Sequence, residues 1–285
     1  MALEITPFHE PESFTWTYLV ADSAGGQAAI IDPVWVYDAV SGMADTAFTD
    51  GILDTAAERQ YSIRWVLETH AHADHMSSAC YIRGKTGARI GIGRGICAVQ
   101  ETFVRIFNLD DVPADGSQFD RLLAEGDTIE LGGLKIRVME TPGHTSDSVT
   151  YLVGDAAFIG DTLFAPGFGT ARCDFPGGDA ALLFDSISRL HALPPETRLH
   201  LCHDYPPKGE EPTSVMTVAE SLESNIHAKA GTSREKYIEM RTTRDAQLSL
   251  PKLIFPALQV NIRAGDAPTG ESNGAAYLKL PFNAN

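Results

Sequence analysis

The chain has 285 residues, of which 44% are hydrophobic and 21% charged, an ordinary globular composition that excludes a disordered or collagen-like chain. Its 38 acidic and 22 basic residues give a formal net charge of −16, which argues against nucleic acid as a partner. The 4 cysteines form no C-x-x-C pair, so neither a disulfide framework nor a thiolate zinc site is expected. No apolar run approaches the ~18 residues of a membrane span and no signal peptide is visible, so we expect a cytoplasmic protein with no membrane partner.

Hydrophobic periodicity and turn residues predict strands and helices that alternate along the chain. In the first half they predict strands at 14–22 and 27–34, a helix at 48–60, a strand at 62–70, a helix at 77–87, a strand at 88–93 and a helix at 97–107. In the second half they predict a hairpin at 126–143, strands at 148–153 and 156–161, an amphipathic helix at 179–193 and a strand at 198–204. This interleaving indicates an α/β protein whose antiparallel or mixed sheets are covered by helices.

The pattern changes after residue 210. Polar segments with helical spacing at 213–231 and 234–248 precede a tail punctuated by proline. We therefore predict two units, residues 1–210 and a C-terminal helical extension and tail at 211–285.

The strongest chemical signal is the motif His-Ala-His-Ala-Asp-His at residues 70–75, directly after an apolar strand. A strand end that breaks into a tight loop turns several side chains toward one point. Imidazole and carboxylate groups are ligands for zinc or ferrous iron, whereas calcium prefers oxygen donors alone. The motif therefore predicts a metal site built from His70, His72, Asp74 and His75.

Three more candidate ligands each follow a predicted strand, namely His144, Asp161 and His203. Each would be unremarkable by itself, but strand ends meet at one rim of a layered sheet, so we expect these side chains to join the motif. The remaining histidines lack this context and are predicted to be surface or packing residues: His9, His191, His200 and His227.

The order and intervals of HAHADH, TPGHT, GD and CHDY resemble the metallo-β-lactamase superfamily. This resemblance implies an αββα sandwich over roughly residues 1–210, with metal at one edge of the two sheets. The fold class predicted is thus α/β, an αββα metallo-β-lactamase sandwich with a C-terminal helical appendage. Further segments, including Arg-x-Asp-Phe at 172–175, are most similar to bacterial persulfide dioxygenases.

What the resemblance implies is a non-haem iron dioxygenase that oxidises glutathione persulfide with O2 and water to sulfite and glutathione. One Fe(2+) per subunit would be held by His70, His144 and Asp161, a two-histidine, one-carboxylate set with open positions for oxygen chemistry. The other motif residues would orient the ligands and bound water: His72, Asp74, His75 and His203. We also predict a homodimer.

Glutathione carries two carboxylates, which an acidic protein has to meet with local cations. Arg172 is the first choice for this role, because a guanidinium group matches a carboxylate through two hydrogen bonds. Arg244 is a weaker candidate for substrate binding, since charged helix faces are usually only solvated. Tyr205, two residues beyond His203, either presents its phenol to the substrate or is a packing residue.

The alternative is a zinc-dependent hydroxyacylglutathione (thioester) hydrolase of the glyoxalase II type, in which the same residues would bind two zinc ions. One ion would take His70, His72 and His144, the other Asp74, His75 and His203, and Asp161 would bridge them. A catalytically silent binding protein is the third hypothesis, and the loss of a ligand would favour it. The ligand set is complete for both enzymes.

Overall fold

The computed structural model describes residues 2–282 of the chain. Its first sheet has six strands in the order β1-β2-β3-β6-β8-β9. These strands are β1 (Leu3–Glu10), β2 (Thr15–Asp22), β3 (Gln27–Ile31), β6 (Ser62–Leu67), β8 (Arg89–Gly93) and β9 (Arg121–Leu123). The first three are antiparallel and the last four parallel, so the sheet is mixed as predicted.

A second six-stranded sheet follows from the second half of the chain. In spatial order its strands are β10 (Thr128–Leu131), β11 (Leu134–Glu140), β12 (Val149–Val153), β13 (Ala156–Phe158), β14 (Arg198–His200) and β15 (Val215–Thr217). A small three-stranded sheet contains β4 (Val34–Asp38), β5 (Met43–Asp45) and β7 (Met76–Ser77).

Seven helices connect and cover the strands among the described residues. They are α1 (Ala47–Glu58), α2 (Ala79–Thr86), α3 (Ile96–Phe107), α4 (Ala180–His191), α5 (Val218–Ser224), α6 (Arg234–Asp245) and α7 (Ile254–Asn261). Of the helices in residues 2–282, none combines the length and the apolar character that crossing a bilayer would take.

Strand alternation divides the buried side chains into three apolar layers, because successive side chains point to opposite faces of a sheet. In β3, Ile30 packs with the helices on the outer face of the first sheet, and Ile31 packs between the two sheets. In β13, Phe158 lies between the sheets and Ala157 packs with α4 under the second sheet. The order of layers is helix, sheet, sheet, helix, which confirms the predicted αββα sandwich.

One predicted strand ends early in the structure, and one strand was not predicted. The strand predicted at 62–70 ends at Leu67, since the amides of Thr69 and Ala71 donate to the carboxylates of Asp32 and Asp147 instead of a neighbouring strand. The β1 strand lies outside the predicted elements; it is a half-buried edge strand whose Leu3 and Ile5 pack against the layer between the sheets.

The helix predicted at 213–231 is also wrong over most of its length. Its first residues form β15, and α5 begins at a capping box in which Thr217 and Glu220 bond each other's backbone amides. The helix ends at Asn225, whose backbone is extended. Strong local capping therefore replaces one long helix with a strand and two turns of helix.

The segment after residue 210 contacts both layers of the sandwich. β15 pairs with β14 at the edge of the second sheet, and Leu258 of α7 packs into the core outside the first sheet. In α6 the buried Arg241 forms an ion pair with Asp245 and donates to the carbonyl of Thr170 at 2.9 Å. The division at residue 210 remains a prediction about domain organisation.

The layer between the sheets provides a direct test of the packing. Ile136 of β11 is fully buried there, so the substitution Ile136→Ala removes three methylene-sized groups and leaves a cavity. We expect it to lower the free energy of unfolding in urea by about 2–5 kcal/mol. The control Val40→Ala, at a side chain that is 97% exposed, should change it by less than about 0.5 kcal/mol. Equal effects of the two substitutions would contradict the assigned layer.

Candidate metal centre

The loop at residues 68–75 is held from behind by two buried carboxylates. Oδ1 of Asp32, just beyond β3, accepts the amide of Thr69 at 2.7 Å, and Oδ2 accepts its hydroxyl at 2.9 Å. Oδ2 of Asp147 accepts the amide of Ala71 at 2.8 Å. These bonds replace the sheet hydrogen bonds that the chain gives up when it leaves β6.

The other three predicted ligands reach the same edge of the sandwich from the second sheet. His144 follows β11, Asp161 lies in a short 3-10 helix after β13, and His203 follows β14. All three side chains are buried. Glycine is required beside Asp161, because Gly160 has φ +50° and a Cβ atom there would lie 2.6 Å from Oγ1 of Thr69.

The structure brings all seven predicted ligands together in overlapping groups. Within each group the ligand atoms lie within 4.8 Å of one another. The groups are His70, His144 and Asp161; Asp74, Asp161 and His203; and His72, His75, His203 and Cys202. Asp161 is thus shared between the first two groups, as a bridging carboxylate would be.

Acceptors behind the rings set the tautomers of His70 and His72. The hydroxyl of Thr69 donates to Asp32 and therefore accepts from Nδ1 of His70 at 3.1 Å. Nε2 of His72 donates to Oδ1 of Asp32 at 3.1 Å and lies 3.6 Å from Oε2 of Glu68. In the neutral rings the free lone pairs are therefore on Nε2 of His70 and Nδ1 of His72.

Backbone carbonyls set the tautomers of His144 and His203. Nδ1 of His144 donates to the carbonyl of Arg172 at 2.6 Å. Nδ1 of His203 donates to the carbonyl of Phe14 at 3.3 Å, and the left-handed backbone of Phe14 (φ 57°) brings that carbonyl into place. In both rings Nε2 keeps its lone pair.

The atoms on the opposite side of these rings are buried without protein hydrogen-bond partners. They are Nε2 of His70, Nδ1 of His72, Nε2 of His75, Oδ1 of Asp161 and Nε2 of His203. Unpaired buried polar atoms are costly, about 1–3 kcal/mol each, and five of them in these overlapping groups indicate a site for a cation. Nitrogen and carboxylate donors of this kind fit zinc or ferrous iron, so the residues present fit a metal centre.

The electrostatics keep three of the donors in the forms that bind metal, whereas for His72 burial is outweighed by the carboxylates of Asp32 and Glu68, which raise the pKa well above its usual value. Burial, assisted by the neighbouring histidines, lowers the pKa of His70 and His75 well below its usual value, so these rings are neutral. Burial alone would raise the pKa of Asp74, but the adjacent His203 and His75 lower it to about 2. Neutral imidazole and ionised carboxylate are the ligand forms.

A cavity of about 310 Å³ adjoins the cluster. His144 and Asp161 line it together with the aromatic rings of Phe164, Phe168 and Phe175. All three of the side chains predicted to bind substrate line it as well: Arg172, Tyr205 and Arg244.

The two arginines differ in what they already bind. The guanidinium of Arg172 forms two 2.7 Å hydrogen bonds to Asp174, donates to the carbonyl of Ser249 at 2.6 Å and stacks over Phe175. Arg244 is exposed and, in the described part of the chain, forms no ion pair. Its charge is therefore available to a ligand, whereas the charge of Arg172 is largely neutralised.

Tyr205 lies parallel to the ring of His203, with centroids 5.9 Å apart, and contacts Phe164 and Phe168. Burial, with the nearby Asp74 and Asp161, raises the pKa of its phenol, which therefore stays protonated. The residue is 37% exposed and borders the cavity, so both the packing role and the substrate role predicted for it stay open.

Sequence reasoning missed the residues behind the motif, chiefly Asp32, Glu68 and Asp147. Asp32 follows an apolar strand, as Asp161 does, and that context was the only available signal. Within residues 2–282, the four histidines predicted to be surface or packing residues belong to none of these candidate ligand groups. His200 is buried, and His191 bonds Ser221 at 2.9 Å.

Comparisons with known proteins agree with this architecture. A probable metallo-hydrolase of Burkholderia pseudomallei (strain 1710b) is 47% identical over 293 residues, 99% of this chain and 100% of that protein. A mitochondrial persulfide dioxygenase, ETHE1 of Mus musculus, is 29% identical over 90% of this chain and 86% of its own length. A hydroxyacylglutathione hydrolase of Acidiphilium cryptum (strain JF-5) is 36% identical over an aligned region that covers 68% of this chain and 65% of that protein.

Among solved structures, the crystal structure of ETHE1 from Myxococcus xanthus is similar with a TM-score of 0.74 and 33% sequence identity. The match covers 92% of this chain and 100% of that one. The family model for the metallo-beta-lactamase superfamily matches residues 11–203, which include every predicted ligand. The chain belongs to the metallo-beta-lactamase superfamily.

Proposed function

We propose that the protein is an iron-dependent dioxygenase that converts glutathione persulfide, O2 and water into glutathione and sulfite. The observation that carries the proposal is the group of His70, His144 and Asp161, of which two line a cavity that also contains Arg244, a cation with no ion pair among residues 2–282. The two ETHE1 proteins, one of them named as a persulfide dioxygenase, support this reaction over others in the superfamily.

Two histidines and one carboxylate would hold one Fe(2+) per subunit. A ferrous ion bound this way supplies open positions for a sulfur ligand and for dioxygen. Asp74 and His203, whose Oδ2 and Nε2 atoms lie 3.2 Å apart, would hold the water that contributes the third oxygen atom of sulfite.

The cavity would bind the rest of the substrate by charge and by excluding water. Arg244 pairs with a glutathione carboxylate, and the rings of Phe164 and Phe168 shield the persulfide from solvent. The protonated phenol of Tyr205 borders the same space as a hydrogen-bond donor. Arg172 contributes through its backbone, because its carbonyl orients His144.

A zinc-dependent glutathione thioester hydrolase is the second candidate. It is favoured by the second group of donors, Asp74, Asp161 and His203, which completes a two-ion site with Asp161 as the bridge. The hydrolase names of the relatives from Burkholderia pseudomallei and Acidiphilium cryptum support it too. Zinc would polarise the thioester carbonyl and lower the pKa of bound water.

The ligand assignment predicts the effect of His144→Ala. Only His70 and Asp161 would remain of the triad, so iron retained after desalting should fall to a small fraction of the wild-type content, measured by atomic emission. The matched control is His191→Ala, which removes a half-buried histidine bonded to Ser221 and should leave iron content unchanged. Wild-type iron content and activity in the His144→Ala protein would overturn the assignment.

The proposed role of Arg244 predicts a defect in binding. Arg244→Ala should raise KM for a glutathione persulfide roughly 10- to 150-fold and leave the iron content intact, because a hydrogen bond to a charged group contributes about 1.5–3 kcal/mol. Arg234→Ala on the same helix is the control, since that side chain pairs with Asp185 and does not line the cavity. An unchanged KM would move the carboxylate contact to Arg172.

Loading with different metals separates the two candidate reactions. Protein loaded with Fe(2+) without oxygen should consume dioxygen only after a persulfide is added, and should release sulfite. Zinc has no redox chemistry, so the zinc form should be inert toward persulfide. Oxygen-electrode traces should be compared with hydrolysis of S-lactoylglutathione. Rapid hydrolysis by the zinc form, with no oxygen uptake by the iron form, would establish the thioester hydrolase instead.

A further inference from the structure

The last turn of α7 reaches the metal-binding loop through one buried amide. Nδ2 of Asn261 donates to the carbonyls of His72 and His75, each at 2.8 Å, and Oδ1 accepts the amide of Ser77 at 2.8 Å. The side chain is 4% exposed. Asn261 lies 184 to 189 residues from these partners along the chain.

This contact uses the full donor capacity of the amide. The two N–H groups of an asparagine diverge, and here each takes the carbonyl of a different histidine in the motif. The three bonds therefore fix the path of residues 72–77, on which the direction of both imidazole rings depends. A carboxylate in the same place would present only acceptors to two carbonyl oxygens.

The surrounding structure holds Asn261 in place. Leu258 and Ile262 pack into the core outside the first sheet, and Nε2 of Gln100 donates to the carbonyl of Ile262 at 2.8 Å. Directly after the helix, Gly265 has φ +80°, and a Cβ atom there would lie 2.7 Å from the carbonyl oxygen of Ser77. The chain beyond α7 thus runs against the same loop, and only glycine allows the approach.

We propose that Asn261 is a positioning residue for the metal centre, acting through the backbone of His72 and His75. The C-terminal segment then determines how firmly the centre holds its ion, although it supplies no ligand. The inference concerns metal binding alone and holds for either reaction considered above.

The chain offers a closely matched pair of variants. Asn261→Asp keeps the size and the acceptor of the side chain and removes its two donors. Gln259→Glu does the same two residues earlier on α7, at a buried amide that donates to the carbonyls of Phe255 and Lys279 and does not touch the loop. Both variants should lower the unfolding temperature of the metal-free protein.

The distinguishing measurement is the affinity of the stripped protein for Zn²⁺ alone, determined by competition with a chelating dye. Asn261→Asp should weaken it by about 10- to 100-fold, the range for a lost partner behind a ligand, and Gln259→Glu by less than about threefold. Wild-type affinity in Asn261→Asp would overturn the proposal, as would equal losses in both variants. If Asn261→Asp does not fold, Asn261→Ser, which keeps one donor on a shorter side chain, is measured against the same control with the same criteria.

Discussion

The carboxylate of Asp32 is the interaction on which the metal centre depends. Burying an ionised carboxylate costs several kcal/mol unless hydrogen bonds replace its lost water. Here the amide and hydroxyl of Thr69 and the ring of His72 donate to it, and these groups belong to the loop that carries the ligands. The residue sits in the left-handed region at φ 49°, which aspartate tolerates better than most side chains. Satisfying one buried charge therefore orders the loop and sets two imidazole tautomers.

Similar hydrogen bonds orient other histidines of the cluster. His72, His144 and His203 each turn one ring nitrogen toward the cluster because the other nitrogen donates to a fixed acceptor, and these three acceptors come from different elements. Asp32 follows β3, Phe14 lies in the turn before β2, and Arg172 lies in the loop before α4. The two sheets must be packed against each other before these partners meet. The preorganisation of the site thus derives from the core between the sheets as much as from the motif.

This dependence explains what could be predicted from the sequence and what could not. Periodicity predicted an α/β protein with mixed sheets, the resemblance implied the αββα layers, and both the fold and the family are confirmed. The seven candidate donors were recognisable because five of them are histidines, a rare residue type, and because their order after predicted strands resembles the superfamily. Asp32 also follows a strand, but neither Asp32 nor Asn261 belongs to a motif, and a single polar residue after a strand or in a helix is ordinary. Their roles exist only through contacts with residues far away in the chain, for which periodicity carries no information.

The net charge of the chain does not reveal which of the arginines in the cavity are available to a ligand. An acidic protein was expected to meet an anionic substrate with local cations, and the cavity does contain three arginines. Two of them already have partners, because Arg241 pairs with Asp245 and Arg172 with Asp174. These two order the cavity wall, and the remaining charge on Arg244 is the one that a ligand can neutralise. The number of cations in a site is therefore a poor measure of its affinity for anions. Only the cations that are not already in an ion pair should be counted.

The separation between scaffold and cavity also accounts for the mixed names of the relatives. The candidate donors are oriented by carboxylates and carbonyls on their buried side, and among the described residues only the carbonyl of Arg172 belongs to a residue that lines the cavity. The cavity wall is built from other segments, chiefly the loop at 163–175 and α6 with the residues after it. A hydrolase and an oxygenase therefore need no different histidines, since the ion and its open positions determine the reaction and the cavity wall selects the substrate. The residues that distinguish the two candidate reactions are therefore expected among those that line the cavity. The residues that help to retain a metal ion are expected on the buried side of the histidines.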